Sequence, residues 1–176
     1  MLNPDFKGIR DFSYGDYLLS SEFRSGFALL EKYNLVSSIA AQWQDMEKLR
    51  DLATTYPNIL IVLDHAGFPI ERNSSYFSNW KNGMASISRL ENVICKISGL
   101  GMGDNRWTVE SIRPYVETCI ELFGCEKALF ASNWPIDSLW SSYDTLISAY
   151  RSITQNYSVE EKELLFSRNT ESIYGI

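Results

Sequence analysis

The sequence predicts an α/β fold built on a parallel sheet, and three observations carry that reading. Apolar runs rich in Ile, Val and Leu recur five times, separated by segments of helical periodicity. The run Ile59-Leu-Ile-Val-Leu63 is apolar throughout, as a strand buried on both faces should be. It ends abruptly in Asp64 and His65, with Gly67 and Pro69 close behind, so polar groups collect at a strand's C-terminal end, where such folds place ligand chemistry.

In chain order, residues 6–10 form a short strand candidate ending in Arg10. Ser20 or Ser21 caps the next helix, with Phe23, Phe27, Leu29 and Leu30 spaced for one buried face. Asn34 suits a left-handed helix end, and residues 35–41 read as the second strand. Residues 45–56 predict an amphipathic helix that buries Met46, Leu49, Leu52 and Ala53, and Pro57 ends it. The Ile59 strand follows, then a helix over 80–90 with Met84, Ile87 and Leu90 along one side. Residues 92–98 form the fourth strand, and the three glycines of 99–105 make a loop. Thr108 opens a helix that runs to Phe123, with Gly124 as its stop. The fifth strand, 127–132, leads into Asn133-Trp-Pro-Ile-Asp137. Helices over 143–155 and 158–165 carry the chain toward its end, and Ser158 with Glu161 has capping-box spacing.

Length and charge bound the function. With 176 residues and 45% apolar content the chain reads as one folded domain, 1–176, with no linker. A net charge of −6 argues against nucleic acid or an anionic membrane as partner, since both need a basic surface. No apolar run approaches a membrane span, and the N-terminus lacks the basic and apolar regions of a signal peptide. Cys95, Cys119 and Cys125 have no CxxC spacing, so a reducing, cytoplasmic setting is expected, with Cys95 and Cys119 as small core residues. The loop at 99–103 lacks the spacing of a nucleotide-binding motif, and no Gly-x-Ser-x-Gly elbow exists. Periodicity leaves two closures open: a self-contained five-stranded doubly wound sheet, or part of a (β/α)₈ barrel, which needs about 250 residues.

The strand ends carry a resemblance. Gly8-Ile-Arg10, Leu63-Asp-His-Ala-Gly-Phe-Pro69, Cys95-Lys-Ile-Ser-Gly-Leu100 and Phe130-Ala-Ser-Asn-Trp-Pro-Ile-Asp137 resemble, in order and spacing, the amidohydrolase-related (amidohydrolase 2) family with its lactonases. The stretch from Trp107 to Phe123 and the terminal Leu165-Phe-Ser-Arg-Asn-Thr-Glu-Ser-Ile-Tyr174 resemble it too. The resemblance implies a TIM-barrel-like amidohydrolase fold of which this chain supplies strands four to eight. The first three strands, with the family's His-x-His pair, would then be missing, and two raw sheet edges would result. A gene fragment, a pseudoenzyme or a binding module is the alternative to a hydrolase acting on a lactone or cyclic ester. Two copies pairing over their open edges would make a homo-oligomer.

His65 is the one histidine, so imidazole chemistry must centre there or come from outside the chain. The resemblance places the family's sixth-strand histidine at His65, where it would polarise the carbonyl or weakly ligate a metal, with Asp137 or the absent N-terminal half supplying the base. Asp64, one residue back, would point to the other face by strand alternation and bond loop backbone. Many such hydrolases carry an aspartate where Asn133 stands; asparagine cannot take a proton and ligates metal weakly. Asp137 could replace that carboxylate or cap the following turn. Arg10 and Lys96 are cations in strand-like runs, suited to an anionic small-molecule substrate or to an internal ion pair with Asp11, Asp64 or Asp137. Trp134 and Pro135 would shape the pocket floor, and Gln44 belongs on the rim after the second strand. The resemblance also implies a divalent metal such as zinc, but the ligand set in this chain is incomplete. Tyr14, Tyr17, Trp80, Trp107 and Trp140 read as core or lid packing.

Overall fold

A computed structural model describes residues 3, 5–11 and 16–176; Tyr14 lies outside them. Five strands form one sheet: β1 (Gly8–Asp11), β2 (Val36–Ile39), β3 (Ile61–Leu63), β4 (Val93–Ile97) and β5 (Ala128–Phe130). Every neighbouring pair is parallel and the order is sequential, β1 to β5. A doubly wound sheet reverses its strand order partway. Sequential order is that of a barrel sector, which settles the closure that periodicity left open.

The helices are α1 (Ser21–Phe27), α2 (Leu29–Tyr33), α3 (Met46–Thr55), α4 (Ser74–Ser88), α5 (Val109–Phe123), α6 (Tyr143–Ile153), α7 (Val159–Glu163) and α8 (Asn169–Tyr174). Among the described residues none is long and apolar enough to cross a membrane. Side chains on one face of the sheet (Ile39, Ile61, Leu63, Cys95, Ile97 and Phe130) pack under the helices as the main core, around the fully buried Trp80. The opposite, inner face carries a second cluster of Val36, Val62, Ile94 and Leu129, with Ile173 and Tyr174 of α8 packed on it.

Local chemistry explains the boundaries. Ser20 Oγ accepts from the Phe23 N–H and opens α1, and Asn34 takes the left-handed conformation (φ 51°) at the end of α2. Thr108 with Ser111, and Ser158 with Glu161, form capping boxes. The predicted first helix is in fact two. They meet at Ala28, whose backbone stays right-handed helical; Phe27 and Leu30 share the buried face, and Leu29, about 200° around the helix from Phe27, is 54% exposed. Helix α4 begins six residues before the predicted start, because Asn73 accepts from the Tyr76 N–H and a polar first turn hides the periodicity. Past α7 a π-helical turn, Leu164–Arg168, runs into α8.

Candidate functional site

The site grows from the end of β3. Strand pairing stops at Leu63, and His65, Ala66, Gly67 and Phe68 then all take left-handed backbone angles (φ 54°, 51°, 67° and 50°). Each non-glycine residue there is strained by about 1 kcal/mol or more. Tertiary bonds hold the turn: the Trp80 indole N–H donates to the Ala66 carbonyl at 2.7 Å, and the Tyr76 hydroxyl to the Phe68 carbonyl at 3.0 Å. The Phe68 ring stands edge-on to the imidazole, with centroids 4.8 Å apart.

This turn overrides strand alternation. Asp64 does not point away from His65; both converge on Arg10. The Arg10 Nε donates to Asp64 Oδ2 at 2.7 Å, and Arg10 Nη2 lies 2.8 Å from His65 Nε2. Lys96 Nζ donates to Asp64 Oδ1 at 2.8 Å and to Ser38 Oγ at 3.1 Å, and Ser38 Oγ donates to Asp64 Oδ1 at 2.8 Å. Asp64, 1% exposed, is thus a hub for side chains rather than a cap for loop backbone. The internal ion pair offered as one reading of Arg10 and Lys96 is present, and both cations share it.

Donor chemistry fixes the imidazole. A guanidinium only donates, so Nε2 accepts from Arg10. The proton therefore sits on Nδ1, which donates to Ser98 Oγ at 2.9 Å. Gly99 closes behind the ring: at φ 64°, a Cβ there would stand 2.7 Å from His65 Nδ1. Burial pushes the His65 pKa down to about 4; Asp64 opposes this, and Arg10 and Lys96 add to it. His65 is neutral at pH 7. Burial alone would raise the Asp64 pKa, but the charge and hydrogen bond of Lys96, helped by Ser38 and Arg10, hold it below the usual carboxylate range. Taken by themselves, Asp64, Arg10 and Lys96 sum to +1.

The other sequence-predicted residues stand apart. Asn133 is left-handed (φ 54°), a conformation asparagine tolerates, and its Nδ2 donates to Asp137 Oδ1 at 2.9 Å. Asp137 is buried, and its Oδ2 has no hydrogen-bond partner among the described residues. Burial raises its pKa, with the Asn133 bond opposing. Among the described residues no hydrogen bond or ion pair joins this pair to the His65 cluster. Trp134 is 41% exposed and rests edge-on against Tyr143, so it forms no buried floor. Gln44 is exposed on a short 3-10 turn, Trp43–Asp45, after β2.

Sequence reasoning gave no role to Ser38, Ser98 or Gly99. The signal was there for the first: a hydroxyl within the buried strand Val-Ser-Ser-Ile needs a polar partner.

Zinc needs about four nitrogen, oxygen or sulfur donors, usually three or more from the protein. Here the His65 Nε2 lone pair faces Arg10, both Asp64 oxygens are engaged, and two cations adjoin them. Among the described residues no group of three or more His, Cys, Asp or Glu side chains gathers. The residues present do not fit a zinc ion.

Comparison with known proteins places this geometry. The chain is 42% identical over 155 residues to the uncharacterized protein y4mH of Sinorhizobium fredii, and 23% identical over 168 residues to an L-fucono-1,5-lactonase of Burkholderia multivorans. It covers 52% and 56% of those proteins, so it spans about half the length of the curated relatives it matches. A crystal structure of an amidohydrolase from Burkholderia multivorans with bound zinc superposes with a TM-score of 0.90 at 21% identity, over 97% of this chain and 64% of that one. The shared fold agrees with the sequential parallel sheet. The amidohydrolase family model matches residues 2–176, and the chain belongs to that family.

Proposed function

We propose that the chain takes part in opening a lactone or cyclic ester of a small carboxylic or sugar acid by water attack on the carbonyl. The observation that carries this reading is the Asp64 hub, one buried carboxylate holding two cations, one of which faces a neutral imidazole. Arg10 and Lys96 present N–H donors and net positive charge to a carboxylate, or to the oxyanion that develops as water attacks. His65 is the proton acceptor. Its unprotonated Nε2 takes the proton of the attacking water, and Asp64 stabilises the imidazolium that results. The water oxygen bonds to the carbonyl carbon, the ring C–O bond breaks, and the leaving alkoxide is protonated. Asp137, oriented by Asn133, is the proposed donor of that proton, because burial favours its acid form. Trp134 and Gln44, exposed on segments after β5 and β2, would border the substrate. In the resting tautomer Nε2 carries no proton, so polarising the carbonyl falls to the two cations rather than to His65. The lactonase among the relatives supports the substrate class.

The test is hydrolysis of a panel of sugar-acid and pyrone lactones by the purified chain, with and without added Zn²⁺ or Mn²⁺, beside His65→Ala. Turnover that falls about 100-fold or more in the variant is expected of a lost acid–base group. A folded chain with no turnover on the panel would overturn the reading and leave a non-catalytic module.

A further inference from the structure

We infer that Arg10 is an anion-responsive latch on His65: a ligand carboxylate that engages its guanidinium draws Nη2 off the imidazole and uncovers the Nε2 lone pair. The inference rests on the proposed role of His65 as proton acceptor. It deepens that role, because in the resting geometry the atom that must take the proton is covered.

Three features point to Arg10 as the moving part. First, it bridges two acceptors, Asp64 Oδ2 and His65 Nε2, and the second bond covers the one basic lone pair of the ring. Second, its side chain is 40% exposed, whereas those of Lys96 and Asp64 are 18% and 1% exposed, so it is the member of the cluster that a ligand reaches. Third, Lys96 and Ser38 stay on Asp64 Oδ1 if the guanidinium turns, so the buried carboxylate keeps a counter-charge while Oδ2 gives up its Arg10 bond.

The exchange is favourable in kind. Arg10 trades one oxygen of Asp64 and the neutral His65 nitrogen for the two oxygens of a ligand carboxylate, so a neutral acceptor is replaced by a charged one in bidentate geometry. His65 itself stays in register, since Ser98 holds Nδ1 and Gly99 leaves no room behind the ring. A lactone bearing a free carboxylate would therefore expose the base as it binds. A neutral ester of the same shape would leave the base covered. Arg10 is in this sense a positioning residue that acts through His65.

A single histidine makes the test direct, because imidazole ¹⁵N labelling gives one pair of ring resonances. The probe is malonate, with dimethyl malonate as the neutral control, titrated into the wild-type chain and into Arg10→Met, whose side chain cannot donate. In the wild type, malonate should move the Nε2 resonance saturably downfield, in the direction of a lone pair that has lost its donor, while the diester leaves it in place. In Arg10→Met the resonance should start at the downfield position and not respond. No saturable response in the wild type, or one that persists in Arg10→Met, overturns the latch. The readout needs no turnover. Hydrolysis without the malonate response would overturn the latch and leave the hydrolase reading intact; the response without hydrolysis would do the reverse.

Discussion

The inner face of the sheet has two ends of opposite character. Toward the strand N-termini, Val36, Val62, Ile94 and Leu129 form an apolar layer on which α8 lays Ile173 and Tyr174. Toward the C-termini, Arg10, Ser38, Asp64 and Lys96 form a polar layer tied to His65. The same strands build both, and β2, for example, contributes Val36 to one and Ser38 to the other. The lower layer is satisfied by burial alone. The upper layer is satisfied only by a specific network, and one of its members, Arg10, has a side chain that is 40% exposed. Apolar burial holds the first end, and a hydrogen-bonded ion network holds the second.

Asp64→Ala should break the upper layer most severely. It strands Lys96 and the Ser38 hydroxyl while Arg10 can turn to water, and losing one partner of a buried ion pair costs about 3 to 4 kcal/mol. Urea unfolding measures that loss, and His65 should lose its counter-charge along with it.

The next effect is acid sensitivity. The His65 pKa is depressed in the folded chain, to about 4, so the unfolded chain binds the proton first. The stability this neutral imidazole carries is fully present above about pH 6.5 and is lost as pH falls toward 4, about 3 kcal/mol in all. Asp64, also depressed, extends the loss to lower pH. In His65→Gln the slope between pH 6.5 and 4 should flatten, as unfolding midpoints over that range will tell.

Ile94→Ala probes the lower layer. Ile94 borders a cavity of about 380 Å³ with Val36, Leu60 and Ile173. That cavity leaves less packing to lose, so the expected cost is about 2 kcal/mol, at the low end for such a truncation. The rate per folded molecule should not change. Gly99→Ala should cost about 2 kcal/mol as well, because a left-handed alanine is strained by about 1 to 2 kcal/mol and its methyl would stand 2.7 Å from His65 Nδ1. Its signature is a displaced His65 ring alongside the weaker fold.

Much of this was legible in the sequence because it depends on local chemistry. The five apolar runs became five strands, and Asn34, Thr108 and the Ser158–Glu161 pair sit at helix ends as their side chains dictate. Strand ends also announced where the polar layer would gather. What was hidden depends on geometry at a distance. Nothing local to Asp64 says that pairing stops at Leu63 and that four left-handed residues follow, which turns two expected opposite directions into one. The Arg10 bridge joins residues 54 and 55 positions apart, and only the parallel register of β1 to β3 brings them together.

The central claim is that the upper layer sets the state of the one imidazole. An NMR pH titration of the ¹⁵N-labelled histidine in the resting chain tests it most directly. The expected result is a ring that carries its proton on Nδ1 at pH 7 and titrates near about 4. A proton on Nε2, or a titration near the ordinary value of about 6.5, would contradict it.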